Sequence, residues 1–340
     1  MAHILVTGAT GFIASHCIVK LIERGHTVRG TARSATRATA LNMILSDYTE
    51  TSIEVPLVAA DLSRDDGWDE AVEGVDAVFH VASPLPANLP RDANELIRPA
   101  RDGALRVLKA AKRAGIERII MTSSMAAVAY GWGETRPDIL TEEHWSNPDN
   151  LQNNTAYTRS KTIAERAAWD YVAGEGEGLK LTTINPSLVL GPVMGGDFST
   201  SLEIITQLMS GKLPAVPRMG FQVVDVRDVA EAHLLALEKD VSIGQRYLVA
   251  DEFMWMSELA DLLREAFPDH ARKIPSGELP NWLVRFLSLV NPPLRQILPE
   301  LGKRRTVSSD KARKELGWNP ISARDAAIAS GASLIAHNVV

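Results

Sequence analysis

Tyr157 and Lys161 stand four residues apart in Tyr157-Thr158-Arg159-Ser160-Lys161, followed by apolar positions at helical spacing: Ile163, Ala164, Ala167, Ala168, Tyr171 and Val172. On a helix this separation puts both side chains on one face. A free phenol titrates near pH ~10 and is a poor acid-base group at neutral pH, whereas an ammonium beside it favours the phenolate. Such a pair can protonate a carbonyl oxygen on which negative charge develops during reduction, or accept a proton from an alcohol. Ser124, in Met121-Thr122-Ser123-Ser124, offers a hydroxyl to the same oxygen, with Ser123 as the neighbouring alternative. Any Tyr-x-x-x-Lys is common by chance, so its meaning depends on what accompanies it.

A second constellation opens the chain. Thr7-Gly8-Ala9-Thr10-Gly11-Phe12-Ile13-Ala14 directly follows the apolar run Ile4-Leu5-Val6 and leads into a helical pattern. Glycines permit a tight turn and close backbone approach to a pyrophosphate, and a helix N-terminus presents unpaired N–H groups. The spacing Gly-x-x-Gly-x-x-Ala is a variant of the dinucleotide fingerprint, and the bland reading is an ordinary strand-to-helix turn. The next strand informs on the cofactor, because NAD sites usually place an acid at its end. Here the chain runs Thr31-Ala32-Arg33-Ser34. Arg33 can grip a 2'-phosphate, with Arg37 as a second contact, and NADP(H) is therefore expected rather than NAD. The bland alternative for both is a solvated surface arginine. Asp61-Leu62, past the third strand, would meet the adenine edge.

These residues need a scaffold that brings strand ends together. Apolar, β-branched runs at 4–7, 27–31, 54–58, 77–81, 118–122 and 181–184 alternate with helical patterns such as 18–24 and 105–113. That rhythm predicts an α/β, doubly wound parallel sheet with helices on both faces. After Pro186 the rhythm breaks, and helical patterns at 258–267 and 310–316 suggest a smaller, mostly helical C-terminal substrate lobe. The expected division is 1–185 with 222–250 for the nucleotide-binding domain, and 186–221 with 251–340 for the substrate-binding lobe. The glycine- and proline-rich stretch 191–196 reads as an active-site loop between them.

Composition excludes several classes. The 340 residues are 45% hydrophobic and 23% charged, with a formal charge of -6 spread along the chain, so no footprint for nucleic acid or an anionic membrane is expected. The single cysteine, Cys17, rules out an intramolecular disulfide and a cysteine-based metal cluster. A reducing cytoplasm fits, and no membrane span or leader is expected. The eight histidines form no His-x-x-x-His pair, so no metal is expected. His80 reads as a buried, satisfied histidine, Cys17 as packing, Asp228 as structural and Lys303-Arg304-Arg305 as a solvated face.

Thr7-Gly8-x-x-Gly11-x-x-Ala14, Ser124, Tyr157-x-x-x-Lys161 and Asn185-Pro186-Ser187-Leu188-Val189-Leu190-Gly191-Pro192 together resemble the extended short-chain dehydrogenase/reductase family. Val28 to Arg33, Phe79-His80-Val81-Ala82-Ser83-Pro84 and Val224 to Ala230 resemble its dihydroflavonol 4-reductase-like aldehyde/ketone reductase branch. The resemblance implies a Rossmann-type domain holding NADP(H), a Ser/Tyr/Lys catalytic set, B-face hydride transfer and a variable lobe that selects the substrate. It carries over Gly8, Gly11, Phe12, Ile13, Arg33, Asp61, Leu62, Val81, Ser83, Tyr157, Lys161 and Pro186 as cofactor contacts. Thr7, Ala82, Thr122, Leu188 and Val189, which flank these motifs, are expected to join them. Pro99 departs from the asparagine of many extended members, and no flavonoid-binding pattern is apparent.

By position, Ser124, Met125, Ala126, Tyr130, Val193, Met194, Arg218 and Phe221 would line a largely apolar substrate pocket. The reading is an NADPH-dependent carbonyl reductase, reversible as an alcohol dehydrogenase, acting on small molecules as a monomer or homodimer. Two alternatives are an NAD-dependent nucleotide-sugar epimerase or dehydratase, which the absent acid near Arg33 disfavours, and a non-catalytic NADP-sensing protein, which the intact Ser124, Tyr157 and Lys161 disfavour.

Overall fold

A computed structural model of the chain describes residues 1–84, 92–133, 136–195, 202–289 and 292–340. Its strands are β1 (His3–Val6), β2 (Thr27–Ala32), β3 (Leu57–Ala59), β4 (Ala77–His80), β5 (Arg118–Thr122), β6 (Lys180–Pro186), β7 (Leu188–Leu190), β8 (Val216–Pro217), β9 (Gly220–Asp225), β10 (Arg246–Val249), β11 (Phe253–Trp255) and β12 (Glu278–Leu279). Its helices are α1 (Phe12–Glu23), α2 (Ala38–Thr49), α3 (Trp68–Val72), α4 (Asn94–Arg113), α5 (Ala156–Ala173), α6 (Glu203–Met209), α7 (Val226–Glu238), α8 (Met256–Ala266), α9 (Asn281–Leu287), α10 (Pro292–Ile297) and α11 (Ala323–Ala336).

Seven strands form one parallel sheet in the order β10-β6-β5-β4-β1-β2-β3. Ile4, Leu5, Val6, Val78, Phe79, Ile119 and Ile120 are fully buried, as strands covered on both faces must be. One face packs on α1, α2 and α7, through Ile18, Leu21, Leu45 and Val229; the other packs on α3, α4 and α5, through Trp68, Val107, Leu108 and Ala168. Because all strands run the same way, the segments leaving β1, β2, β4, β5 and β6 emerge at one edge of the sheet. The order reverses between β1 and β4, and the crevice outside the strand ends at such a switch point is where a nucleotide sits in folds of this kind.

The second lobe has its own core, built from Leu202, Ile205, Leu208, Met254, Leu259, Leu263 and Ala327. It carries α6, α8, α9, α10 and α11, and also two small sheets that the sequence reading did not mark, β11-β9-β7 and β12-β8. The run expected as a helix at 310–316 is a short π-helical stretch, Ala312–Leu316. Arg305, read from sequence as part of a solvated face, is instead buried. Its guanidinium is paired with Glu300 at 2.6 Å and lies 4.6 Å from the centre of the Tyr130 ring. Asp228 anchors the segment that leads into α11: it accepts the Ile321 N–H at 2.7 Å, and the Trp318 indole donates to its backbone carbonyl. Among the described residues no helix is long and apolar enough to cross a membrane.

Candidate active site

The turn after β1 is a cradle that side chains would fill. Gly8 has φ +66°, a conformation that favours glycine, and a Cβ there would lie 3.0 Å from the Ala82 Cβ. A Cβ on Gly11 would lie 3.2 Å from the Gly8 carbonyl oxygen. Gly11 is also the N-cap of α1 and supplies no capping side chain, and no acid occupies the first turn. The leading N–H groups, on Phe12 and Ile13, therefore face the cradle with the positive end of the helix dipole behind them. Thr7 fixes its far wall: its hydroxyl oxygen accepts the N–H groups of Val81 and Ala82 at 3.1 and 3.0 Å. With both lone pairs used, its own hydrogen goes to Nδ1 of His80, 2.9 Å away. Burial, with the Lys161 ammonium nearby, pushes His80 down to about 3, so it is a neutral structural group. An anionic pyrophosphate suits this donor-rich, acid-free turn.

Arg33 immediately follows β2, is exposed, and makes no hydrogen bond among the described residues. Ser34 caps the short helix Ala35–Arg37, which places Arg37 one turn away. Asp61 turns its carboxylate onto Ser63, accepting the backbone N–H at 2.8 Å and the hydroxyl at 2.7 Å. Those bonds hold it below the usual carboxylate range, with Arg64 and Arg33 contributing. Leu62 packs against α4, where Gly103 leaves room for it: a Cβ there would lie 2.8 Å from the Leu62 Cβ.

Tyr157 enters in the first turn of α5 because Thr155 caps that helix. Thr155 accepts the Thr158 N–H at 3.2 Å while the Thr158 hydroxyl accepts the Thr155 N–H at 2.8 Å. One turn on, the Lys161 ammonium lies 5.9 Å from the Tyr157 ring centre and donates to the Ser83 hydroxyl at 3.0 Å. The structure thus joins Tyr157, Lys161 and Ser83, at the exit of β4, with the glycine cradle beside them. Ser124 caps a short helix over Met125–Ala127, accepting the Ala126 N–H at 3.1 Å, and among the described residues its own hydrogen has no acceptor. Ser123 differs: its hydroxyl is buried and donates to Glu165 at 2.5 Å, which removes it from the cleft.

Other expected contacts lie deeper. The Thr122 hydroxyl pairs with His233 Nε2 at 2.7 Å, and since His233 Nδ1 must donate to the Val229 carbonyl, Nε2 accepts. Pro186 ends β6 and is buried, Val189 lies in the sheet core, and Leu188 packs on the second lobe's core. Between them the Ser187 hydroxyl, and at the end of β6 the side-chain amide oxygen of Asn185, are buried without a hydrogen-bond partner among the described residues. Buried polar groups are rarely left so, and these two stand where the strand end meets the crevice.

Of the residues expected to line a substrate pocket, Met125 and Tyr130 flank one small cluster, and Phe221 packs on the second lobe. Burial pushes the Tyr130 phenol upward, so it stays protonated; Tyr157 is among the groups it senses. Val193 and Ala126 are buried at 4% and 3% exposure, and Met194 packs against the sheet core. Arg218 is exposed, 3.6 Å from Glu278 and stacked over Trp255. The loop after β7 is pinned by α11, where Ser330 accepts the Gly191 N–H at 2.7 Å, and by α1, where His16 meets the Pro192 carbonyl at 3.0 Å. Gly196, last residue of the glycine-rich stretch, lies outside the described residues.

A doubly wound sheet with a glycine turn at its switch point and a Tyr/Lys pair at the same edge defines a Rossmann-type dinucleotide-binding protein of the short-chain dehydrogenase/reductase class. The chain belongs to the NAD dependent epimerase/dehydratase family, whose model matches residues 4–250. It is 36% identical to tetraketide alpha-pyrone reductase 2 of Arabidopsis thaliana over 276 residues, 79% of this chain and 84% of that one. It is 33% identical to cinnamoyl-CoA reductase CAD2 of Medicago truncatula, covering 92% and 96% of the two chains. The crystal structure of yeast methylglyoxal/isovaleraldehyde reductase Gre2 complexed with NADPH superposes with a TM-score of 0.80 at 30% identity, over 99% of this chain and all of that one.

Proposed function

We infer that the chain is an NADPH-dependent reductase of aldehydes and ketones, reversible as an alcohol dehydrogenase. The observation that carries the chemistry is the Tyr157–Lys161 pair, held at the mouth of the glycine cradle by the bond from Lys161 to Ser83. Thr7, Gly8, Gly11, Phe12 and Ile13 would hold the pyrophosphate, Arg33 and Arg37 the 2'-phosphate, and Val81 to Ser83, Lys161, Pro186, Leu188 and Val189 the remaining length. Bound NADPH supplies the hydride. Tyr157 delivers the proton to the carbonyl oxygen, and the Lys161 ammonium stabilises the phenolate left behind. Ser124 donates its free hydrogen to the same oxygen, stabilising charge as it develops. Arg33, with no acid at the end of β2, supports NADP(H) over NAD.

The pocket we propose takes small, largely apolar carbonyl compounds between Met125, Tyr130 and Phe221, with Tyr130 as a polar anchor that stays protonated. A reducing cytoplasm is the compartment we favour, in keeping with the lone, buried Cys17. The test is loss of NADPH absorbance with purified protein and a panel of aldehydes, ketones and diketones. Turnover supports the reading; tight NADPH binding with no turnover of any of them would favour a sensor.

A further inference from the structure

Glu165 is fully buried, yet its carboxylate gathers donors from four elements. Oε2 accepts from the Ser123 hydroxyl at 2.5 Å and the Asn185 amide at 2.7 Å. Oε1 accepts from the Thr183 hydroxyl at 3.0 Å, the Arg246 Nε at 2.7 Å and, more weakly, the Trp169 indole at 3.4 Å. Ser123 follows β5, Thr183 and Asn185 lie on β6, Arg246 on β10, and Glu165 itself on α5 with Tyr157 and Lys161. Tyr157, Lys161 and Glu165 recur every four residues, so they follow one another along the same side of α5.

A buried carboxylate would ordinarily be a weak stabiliser, because desolvation consumes much of the attraction to its partner. Here the ion pair with Arg246 joins α5 to β10, whereas the bonds to Ser123 and Asn185 reach toward Ser124. Ser123 is covalently joined to Ser124, and the Asn185 amide also donates to the Ser124 carbonyl at 3.1 Å. Glu165 therefore holds the backbone of Ser124 from two sides while anchored to the helix that carries Tyr157 and Lys161. We propose that Glu165 is the positioning residue of the catalytic set, fixing where the Ser124 hydroxyl stands relative to the Tyr157 phenol.

The proposal rests on Ser124, Tyr157 and Lys161 being the reacting groups. Misplacing a reacting group by about 1 Å can cost on the order of 10²-fold in rate. Glu165→Gln places an amide N–H₂ against donors and so loosens the junction without changing its volume. Expected for folded Glu165→Gln with saturating NADPH is a kcat lower by roughly 10- to 100-fold, a KM for NADPH within about twofold, and a displaced pH profile of kcat. Ser123→Ala cuts only the tether to β5 and leaves the Arg246 pair, so kcat should fall by a smaller factor. Wild-type kcat and pH profile in folded Glu165→Gln overturn the proposal. If Glu165→Gln does not fold, Ser123→Ala decides: a lower kcat at constant KM supports the positioning role, and an unchanged kcat overturns it. Tyr157→Phe, assayed alongside, separates the layers. Retained turnover in that variant refutes the catalytic set itself, whereas an inactive Tyr157→Phe beside a fully active Glu165→Gln refutes only the positioning role.

Discussion

Replacing Gly8 with alanine tests the cradle, and its size can be worked from two glycines of the same molecule. Gly8 and Gly25 both have left-handed backbones, φ +66° and +83°, but a Cβ on Gly25 meets nothing within 4 Å whereas one on Gly8 meets the Ala82 Cβ at 3.0 Å and Cα at 3.1 Å. An L-residue in that conformation costs about 1–2 kcal/mol at either position. The contact at Gly8 adds an overpacking term of about 1–3 kcal/mol, because the opposing atoms belong to a backbone pinned by Thr7. Gly25→Ala should therefore lose about 1–2 kcal/mol, and Gly8→Ala about 2–5 kcal/mol, in urea denaturation without cofactor. If the loop instead yields, the strain reappears as distance between the Gly8–Ala82 walls and the ligand. Fluorescence titration with NADPH should then show at least about a tenfold higher Kd for Gly8→Ala and an unchanged Kd for Gly25→Ala. Equal NADPH affinity in the two variants would refute the argument that this turn seats the pyrophosphate.

Arg33→Ala should raise the KM for NADPH about tenfold or more while leaving NADH nearly unaffected, since a charge-assisted bond at an exposed site lies at the low end of about 1.5–3 kcal/mol; an unchanged NADPH/NADH ratio would remove the 2'-phosphate from this residue. Acid should unfold the protein steeply below pH 6. Burial, the largest cause for each, pushes His16 and His233 down to about 4 and His80 to about 3, so all three are neutral when folded, while the unfolded chain takes up those protons near pH 6.5. Stability is thus present above that value and lost as pH falls toward 4, by about 1.4 kcal/mol per pH unit for each histidine. Asp228, pushed up to about 6 by burial, works in the opposite direction, because the folded state binds its proton first, and it offsets about one of the three. Urea midpoints at pH 7 and 5 should differ accordingly, and equal midpoints would contradict the assignment of neutral buried histidines.

The sheet was legible because its strands are apolar on both faces, a pattern that Ile4-Leu5-Val6 and Arg118 to Thr122 display without ambiguity. Helix starts were less so. α4 begins eleven residues before the clear periodicity at Leu105, because Pro99 and Gly103 interrupt its pattern, and Gly103 serves to admit Leu62. The small sheet β11-β9-β7 escaped notice because two of its strands are only three residues long. At the site, Tyr157, Lys161 and the glycine turn announced themselves by type and spacing. Glu165 did not, although an acid set among Ala164, Ala167 and Ala168, four residues beyond Lys161, was a signal that strict i, i+4, i+8 reading would have caught. Which of Ser123 and Ser124 faces the cleft could not be read from sequence, since adjacent residues leaving a strand point to opposite sides and only the position of Glu165 distinguishes them.

The most direct measurement is the rate of NADPH oxidation with an aldehyde and ketone panel, run beside NADH and with Tyr157→Phe. Turnover that prefers NADPH and falls by at least about 10²-fold in the variant, with NADPH binding retained, is the predicted result. A variant as active as the wild type, or a preference for NADH, would contradict the account.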